Sequence, residues 1–461
     1  MSWWAGLALG LLSFLVFQRL RSSLGPEYTP VAPHDSVWSW NGPTNPYIIN
    51  TFWVVDRMDK DEFKRLFNNS VVESSPSFIK FKQILVKRMG GSYWLNDKDY
   101  HIDRHILQTS IGIKEEATKE EVAKYIGELA SQPLEKDRPL WRIYVIPNYI
   151  GGKTVMVGRF HHVIADGVAL VSLIFNSMEH LNSHTSPSSN PKIVGRSWEW
   201  KKLIHLFSGL IQVVRAFLLP SDGLPLSGKV LSCKRVVSWS DPFPLDEVKK
   251  IKEYYNCSVN DVLASCVAGA FHRELLKRLD GDITKLKSRT LKAIIPINIR
   301  PPHALAPGKI KLENHISTFI LPLAVTSTDA ISRLKDTTRN AAQQKNSTYP
   351  FVVDKLLQLL KLTVPSLAPY VMNFVANKCT VIFTNVPGPS TPLAMGGHRM
   401  WELVPWVPFS GQMGWGVSVL SYAGHVQVGL CVDISFCSNP EMFISYFLEE
   451  FRELLNSTNK K

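Results

Sequence analysis

The chain has no cysteine pair at Cys-x-x-Cys spacing, no low-complexity tract and no internal repeat. Its six cysteines (Cys233, Cys257, Cys266, Cys379, Cys431 and Cys437) mostly sit inside apolar runs such as VLASCVAGAF. That usage argues against a disulfide framework or a cysteine-based zinc site, and fits reduced thiols in a cytosol-facing domain. Lys and Arg total 52 against 39 Asp and Glu, a net charge of +13, yet they never gather into a stripe interleaved with aromatics. Nucleic acid is therefore a poor partner, and the excess suits a membrane surface or a polyanion such as coenzyme A. No Lys or Arg precedes the first apolar run, so the charged start of a cleavable signal peptide is missing. N-x-[ST] sequons begin at Asn68, Asn256, Asn346 and Asn456, about as many as chance supplies.

What is present divides the 461 residues, 45% of them hydrophobic, into segments. Trp3–Phe17 is apolar and is followed by Arg19 and Arg21, which places the remainder of the chain in the cytosol. Residues 1–24 are read as a membrane anchor helix, spanning or only embedded, because the run is short of the usual twenty or so residues. Residues 25–45 are rich in Pro, Ser and Asn and read as an extended linker containing Trp38 and Trp40. A first domain is expected over 46–185. Its strands are Tyr47–Val55, Phe78–Val86 and Trp94–Ile106. Its helices are Asp59–Phe67 and Thr118–Leu129, the second opened by a Thr118/Glu121 capping box. Trp141–Ile146 and Thr154–Phe160 form a hairpin about Gly151–Gly152.

The hairpin leads into Val155–Leu170, VMVGRFHHVIADGVAL. Strand side chains alternate faces, so His162 shares a face with Gly158 and Phe160, while His161 points the other way with Arg159. A neutral imidazole at the end of an apolar strand is suited to act as a general base near neutral pH. Asp166–Gly167 closes the motif; Gly167 releases the chain from its turn, and Val168–Met178 restarts as a helix.

Residues 186–230 read as a second linker carrying a helix, Leu203–Leu219. His205, Ser208, Gln212 and Arg215 make one narrow polar stripe on it, with Trp198, Trp200, Lys201 and Lys202 at its mouth. Two readings stand: a helix lying in a membrane interface, or an ordinary core helix. A second domain is expected over 231–461. It has helices at Pro244–Tyr254, Ser258–Leu279, Ala330–Gln344, Val352–Leu362 and Glu441–Leu455. Strands are expected at Leu291–Ile299, Ile316–Leu323, Val381–Asn385, Gly416–Tyr422 and Val426–Asp433. Without regular βαβ alternation, the fold class is α+β with mixed sheets.

The signals occur in a specific order. Pro139-Leu140-Trp141 precedes His161-His162-x-x-x-Asp166-Gly167. Asn260-Asp261, Pro296-Ile297-Asn298-Ile299-Arg300, Glu313-Asn314-His315-Ile316-Ser317 and Thr384-Asn385-Val386-Pro387-Gly388-Pro389 follow. From about Pro46 to Leu455 the chain resembles the wax ester synthase/diacylglycerol acyltransferase family of the coenzyme A-dependent acyltransferase superfamily. The resemblance implies two chloramphenicol-acetyltransferase-like domains facing each other across a central tunnel. Acyl-CoA, a co-substrate and not a bound cofactor, would enter from one side and a fatty alcohol or diacylglycerol from the other. It also implies that His162 is the general base of direct transfer without a covalent intermediate, with His161 beside it. Asp166 would pair with Arg300 to hold the loop, and Asn260 would either lie near the reacting carbonyl or cap its helix. Glu313-Asn314 departs from the family's Gly-Asn pair, and Thr384 replaces a serine.

Two rival readings remain. A metal site on His161 and His162 fails because adjacent strand residues diverge and no other ligand cluster has metal spacing. The other is a catalytically idle lipid-binding or tethering protein on the same fold. The tether points to the endoplasmic reticulum membrane, with the plasma membrane or a lipid droplet as alternatives. Wax ester or triacylglycerol as product depends on tunnel width, which motifs do not encode.

Overall fold

A computed structural model describes residues 24–39, 45–181, 201–218, 220–222, 226–286, 290–345, 348–363 and 367–459. The anchor expected at Trp3–Phe17, Trp40, and residues 186–200 of the second linker with Trp198 and Trp200 lie outside the described residues. Among those described, no helix is long and apolar enough to cross a membrane.

The first half contains β1 (Thr29–Pro30), α1 (Pro33–Ser36), β2 (Ile48–Val55), α2 (Lys60–Phe67), β3 (Gln83–Arg88), β4 (Gly91–Asn96) and β5 (Ile106–Gln108). It continues with α3 (Lys119–Ala130), β6 (Trp141–Tyr149), β7 (Lys153–His161), α4 (Gly167–Asn176) and β8 (Glu179–His180). After α5 (Lys201–Leu218) come β9 (Arg235–Trp239), β10 (Phe243–Pro244), α6 (Leu245–Tyr254), α7 (Val259–Arg278), β11 (Leu291–Asn298) and β12 (Ile316–Leu323). The chain ends with α8 (Ala330–Lys345), α9 (Tyr349–Thr363), α10 (Ala368–Ala376), β13 (Val381–Pro387), β14 (Leu393–Met395), β15 (His398–Trp406), β16 (Trp415–Tyr422), β17 (His425–Asp433) and α11 (Pro440–Ser457). Local signals explain many of the boundaries. Thr118 and Glu121 form the expected capping box on α3, and Ser258 and Asp261 form another on α7. Gly151 and Gly152, both at positive φ, turn β6 into β7.

Two seven-stranded sheets organise the molecule, in the orders β5-β6-β7-β2-β15-β14-β8 and β10-β17-β16-β13-β11-β12, the latter with β9 also on β17. Both mix parallel and antiparallel pairs, in keeping with the α+β expectation. In the second half, α7 is buried along most of its length against α8 and α11. Its middle stretch, Val262–Phe271, is apolar on nearly every side for that reason.

Four expectations need correction. The second domain is not confined to its own sheet: β14 and β15 cross over, and β15 pairs with the central strand β2 of the first sheet. Residues 25–45 are not an extended linker along their described length. β1 pairs with β4, and Val31, Asp35, Val37 and Trp38 are buried, because the apolar side chains among the prolines find a surface to cover. The strand expected at Phe78–Val86 begins as a 3₁₀ helix, Pro76–Lys82, since Ser75 caps it and Pro76 suits its first position. Trp94–Ile106 is likewise interrupted, between β4 and β5, by a 3₁₀ turn at Ile102–Arg104.

Candidate active site

β7 carries the motif to the junction of the halves. It pairs with β2 on one side and β6 on the other, with Phe160 opposite Ile49 and Trp141. The ladder continues past the strand: His161 N–H donates to Leu140 O at 3.0 Å and His162 N–H to Tyr47 O at 2.8 Å. Both histidine backbones are therefore held, and their side chains diverge as strand geometry requires. Phe160 and His162 line a cavity of about 490 Å³. A Cβ on Gly158 would lie 2.6 Å from Thr51 Oγ1 and 2.8 Å from the Phe160 ring, so the glycine lets that ring lie flat along the wall. Trp141, fully buried, supports Phe160 from behind and donates its indole N–H to Phe81 O at 2.9 Å.

His161 turns away from the cavity. Its Nδ1 accepts the Val163 N–H at 3.1 Å, and burial pushes its pKa down to about 3. It is neutral, and its ring nitrogen holds the turn that follows the strand.

Around His162 lies a relay that sequence reasoning missed. Asp35, fully buried in α1, accepts at one oxygen from the Asn314 backbone N–H and side-chain amide, each at 2.8 Å, and at the other from Lys80 Nζ at 2.7 Å. The Asn314 amide also donates to His162 O at 2.8 Å. With both of its N–H groups committed, Asn314 turns its oxygen to His162 Nδ1, 2.7 Å away. That nitrogen must carry the imidazole proton, which leaves the Nε2 lone pair free. Trp38 stacks on the ring at 3.9 Å between centroids. Burial lowers the His162 pKa below 6.5, opposed by the charge of Asp166 and the bond to Asn314. The imidazole is neutral at physiological pH.

The pairing expected of Asp166 is present. One oxygen caps α4 by accepting Ala169 N–H at 3.0 Å; the other accepts Arg300 Nη2 at 2.7 Å and His315 N–H at 2.9 Å. Arg300 also donates to Glu313 O. Asp166 and Arg300 are buried, so removing one would leave the other's charge uncompensated. Together they clamp the histidine loop to the segment that carries Asn314.

Two site expectations change. Gly167 was assigned to the turn, yet its φ is not left-handed and a Cβ there would meet nothing within 4 Å. It is the first residue of α4 and lies on the cavity wall, where a bare backbone leaves room. Asn260 is not among the residues that line the cavity with His162. It is exposed in the first turn of α7, accepts Asn385 Nδ2 at 2.6 Å, and leaves the capping to Ser258 and Asp261. A histidine–carboxylate cluster of His34, Glu313 and His315 also assembles, with ligand atoms within 4.8 Å of one another. The His34 and His315 rings stack at 4.6 Å, so one ion could not lie along both lone pairs unless a ring turned.

Both halves wall the cavity: Ile49, Phe160 and Ile174 from the first, Ile294, Ile316 and Val386 from the second. A largely hydrocarbon space with the His162 imidazole in its wall suits an acyl chain and a nucleophile that must lose a proton.

Comparison with known proteins agrees. The wax ester synthase/diacylglycerol acyltransferase catalytic domain matches residues 36–218, and the C-terminal domain of the same family matches residues 312–455. A probable diacylglycerol O-acyltransferase of Mycobacterium tuberculosis is 24% identical over 369 residues, 75% of this chain and 77% of the relative. The wax ester synthase/diacylglycerol acyltransferase 1 of Arabidopsis thaliana is 22% identical over 472 residues, 94% of this chain and 96% of that one. Among solved structures, the wax ester synthase/diacylglycerol acyltransferase of Marinobacter aquaeolei superposes with a TM-score of 0.66 at 18% identity, covering 94% of this chain and 100% of that one. The chain belongs to the wax ester synthase/diacylglycerol acyltransferase family.

Proposed function

We propose that the protein moves a fatty acyl group from acyl-CoA to a lipid alcohol, giving wax ester from a fatty alcohol and triacylglycerol from diacylglycerol. His162 is the base. Its Nε2 takes the hydroxyl proton as the alcohol oxygen bonds to the thioester carbonyl carbon. The tetrahedral intermediate then collapses, the carbon–sulfur bond breaks, and the coenzyme A thiolate takes the proton back from Nε2. No acyl-enzyme forms and no bound cofactor is required. The imidazolium formed midway is steadied through Nδ1 by Asn314, which is backed by the Asp35 carboxylate, and by the nearby charge of Asp166. A base of this kind contributes roughly a hundred- to ten-thousand-fold. The rest falls to positioning in a cavity that excludes water. We place the reaction at a membrane, with the endoplasmic reticulum as the first candidate and both halves facing the cytosol.

The observation that carries this reading is the His162 tautomer, set by Asn314, in the wall of an apolar cavity. Purified protein given labelled palmitoyl-CoA, with hexadecanol and dioleoylglycerol in competition, is expected to form labelled ester and free coenzyme A in equal amounts. Absence of ester from every alcohol tried would overturn it.

A further inference from the structure

Three helices, α5, α9 and α10, close one side of the cavity. Val213, Ala216, Val353, Leu357, Met372 and Val375 on their inner faces line it. Outer faces in contact with water are mostly polar, but large apolar side chains stand out on these. Ile211, Val214 and Leu218 on α5 and Tyr370 and Phe374 on α10 are exposed, Leu218 by 76% and Tyr370 by 70%. Successive members of the α5 set lie three or four residues apart, so they form one continuous stripe. The patch therefore spans neighbouring helices and is not a scatter of single side chains.

Near Gly209, α5 lies tight against α9, where a Cβ would strike Thr348 and Val352. At the other end of α5 the contact with α10 includes a ring stack, Phe217 on Phe374 at 5.7 Å. Phe217 is half-exposed and also lines the cavity, so one side chain touches both outside and inside. Cations border the patch: Lys378 Nζ sits 4.6 Å from the Phe374 ring centroid and bonds Phe217 O at 2.8 Å, and Lys355 Nζ sits 5.6 Å from that of Phe351. Aromatic rings paired with lysines at the edge of an apolar face are what the headgroup level of a bilayer selects.

We propose that the outer face of α5, α9 and α10 is seated in an anionic phospholipid bilayer. The Phe217–Phe374 contact is then the gate through which the acceptor lipid passes sideways from the membrane into the cavity. This rests on the acyl-transfer reading and adds the route of one substrate. An acceptor that never crosses water avoids the hydration cost of its chains, and it arrives in the cavity that His162 lines.

The test uses the full chain, palmitoyl-CoA and two kinds of acceptor. One is hexadecanol or dioleoylglycerol dissolved in phosphatidylcholine/phosphatidylserine vesicles; the other is hexanol in water. Because an N-terminal anchor could hold the protein on vesicles by itself, turnover and not binding is the readout. Val214→Asp combined with Leu218→Asp, both outside the cavity lining, is expected to lower turnover of the bilayer acceptor by about tenfold or more, while transfer to hexanol stays within about twofold. Val214→Ser with Leu218→Ser gives the same direction if the aspartates disturb folding. Phe217→Asp, at the gate, is expected to raise KM for the bilayer acceptor without changing KM for palmitoyl-CoA. Unchanged bilayer turnover in the serine and aspartate variants overturns the proposal. So does unchanged turnover accompanied by loss of self-association, which would make the patch a contact between copies. Failure of the unaltered protein to acylate any acceptor, hexanol included, would overturn the acyl-transfer reading instead.

Discussion

The two halves use the same device and put it to different ends. In each, an antiparallel hairpin turns on two residues at positive φ, Gly151–Gly152 between β6 and β7 and Ala423–Gly424 between β16 and β17. Each hairpin then leads through a loop into a helix capped by a side-chain oxygen, from Asp166 in one case and Asn439 in the other. At the end of β17 stands Asp433, whose carboxylate accepts from Ser232 N–H and Oγ–H, Cys233 N–H and Ser435 N–H, all within its own half. Past the end of β7 stands His162, whose partner Asn314 and whose loop clamp Arg300 both come from the other half. Its Nε2 has no hydrogen-bond partner among the described residues. One unit is closed on itself. The other is held across the junction and leaves His162 Nε2 uncommitted at the cavity wall, where a substrate can reach it.

The sharpest way to break this contrast is His162→Ala, expected to lower kcat roughly a hundred- to ten-thousand-fold with circular dichroism unchanged and only a modest fall in melting temperature from the bond lost to Asn314. Near-normal turnover would dismiss the lone nitrogen as the base. Next comes the clamp. Asp166→Asn or Arg300→Met should each cost about 3–5 kcal/mol of stability. The double variant should be little worse than either alone, whereas additive losses in a denaturant titration would mean the two act independently. Asn314→Leu removes a hydrogen bond made to the imidazolium, a loss of about 1.5–3 kcal/mol, or roughly ten- to a hundredfold in kcat. The pH profile separates this from general damage. The rate needs neutral His162, so kcat/KM falls as pH drops through its lowered pKa. Because the Asn314 bond raises that pKa, its loss should move the acid limb further down. An acid limb that stays in place would argue that Asn314 is only structural.

Asp433→Ala tests the closed unit. A cost on the order of 1–3 kcal/mol in stability is expected, with kcat/KM of the folded fraction unchanged; a matching loss of activity would erase the distinction between the halves. The smallest effect belongs to Gly167→Ala. With an ordinary φ and open space around a Cβ, thermal stability should shift by no more than about 0.5 kcal/mol. Severe unfolding would restore the turn role first assigned to it.

Legibility in the sequence followed the range of the interaction. Capping boxes at Thr118 and Ser258, the β6–β7 turn and the opposed faces of His161 and His162 are set by residues a few positions apart, and local pattern suffices for them. The pairing of Asp166 with Arg300 is long-range and came from family resemblance, not from spacing. The Asp35–Asn314–His162 relay joins three distant stretches, and no periodicity marks it. Asn314 stood out only as a neighbour of the unusual Glu313. Asp35 and Trp38 were hidden by a Pro- and Ser-rich context that reads as linker, although a tryptophan in such a stretch is itself a sign that something covers it. β15 was missed because its run HRMWELVPW mixes charge, proline and aromatics, and its strand character comes from pairing with β2.

That pairing has a consequence for how the chain is made. β2 lies at the centre of the first sheet and pairs with β7 on one side, but its other edge is covered only by β15, which ends at Trp406. During synthesis the first half must therefore wait, with one backbone edge and an apolar face uncovered, until nearly all of the chain has left the ribosome. An unpaired central edge is an invitation to wrong partners. A chain stopped before residue 398 would hold the whole histidine motif yet never complete the sheet that carries it.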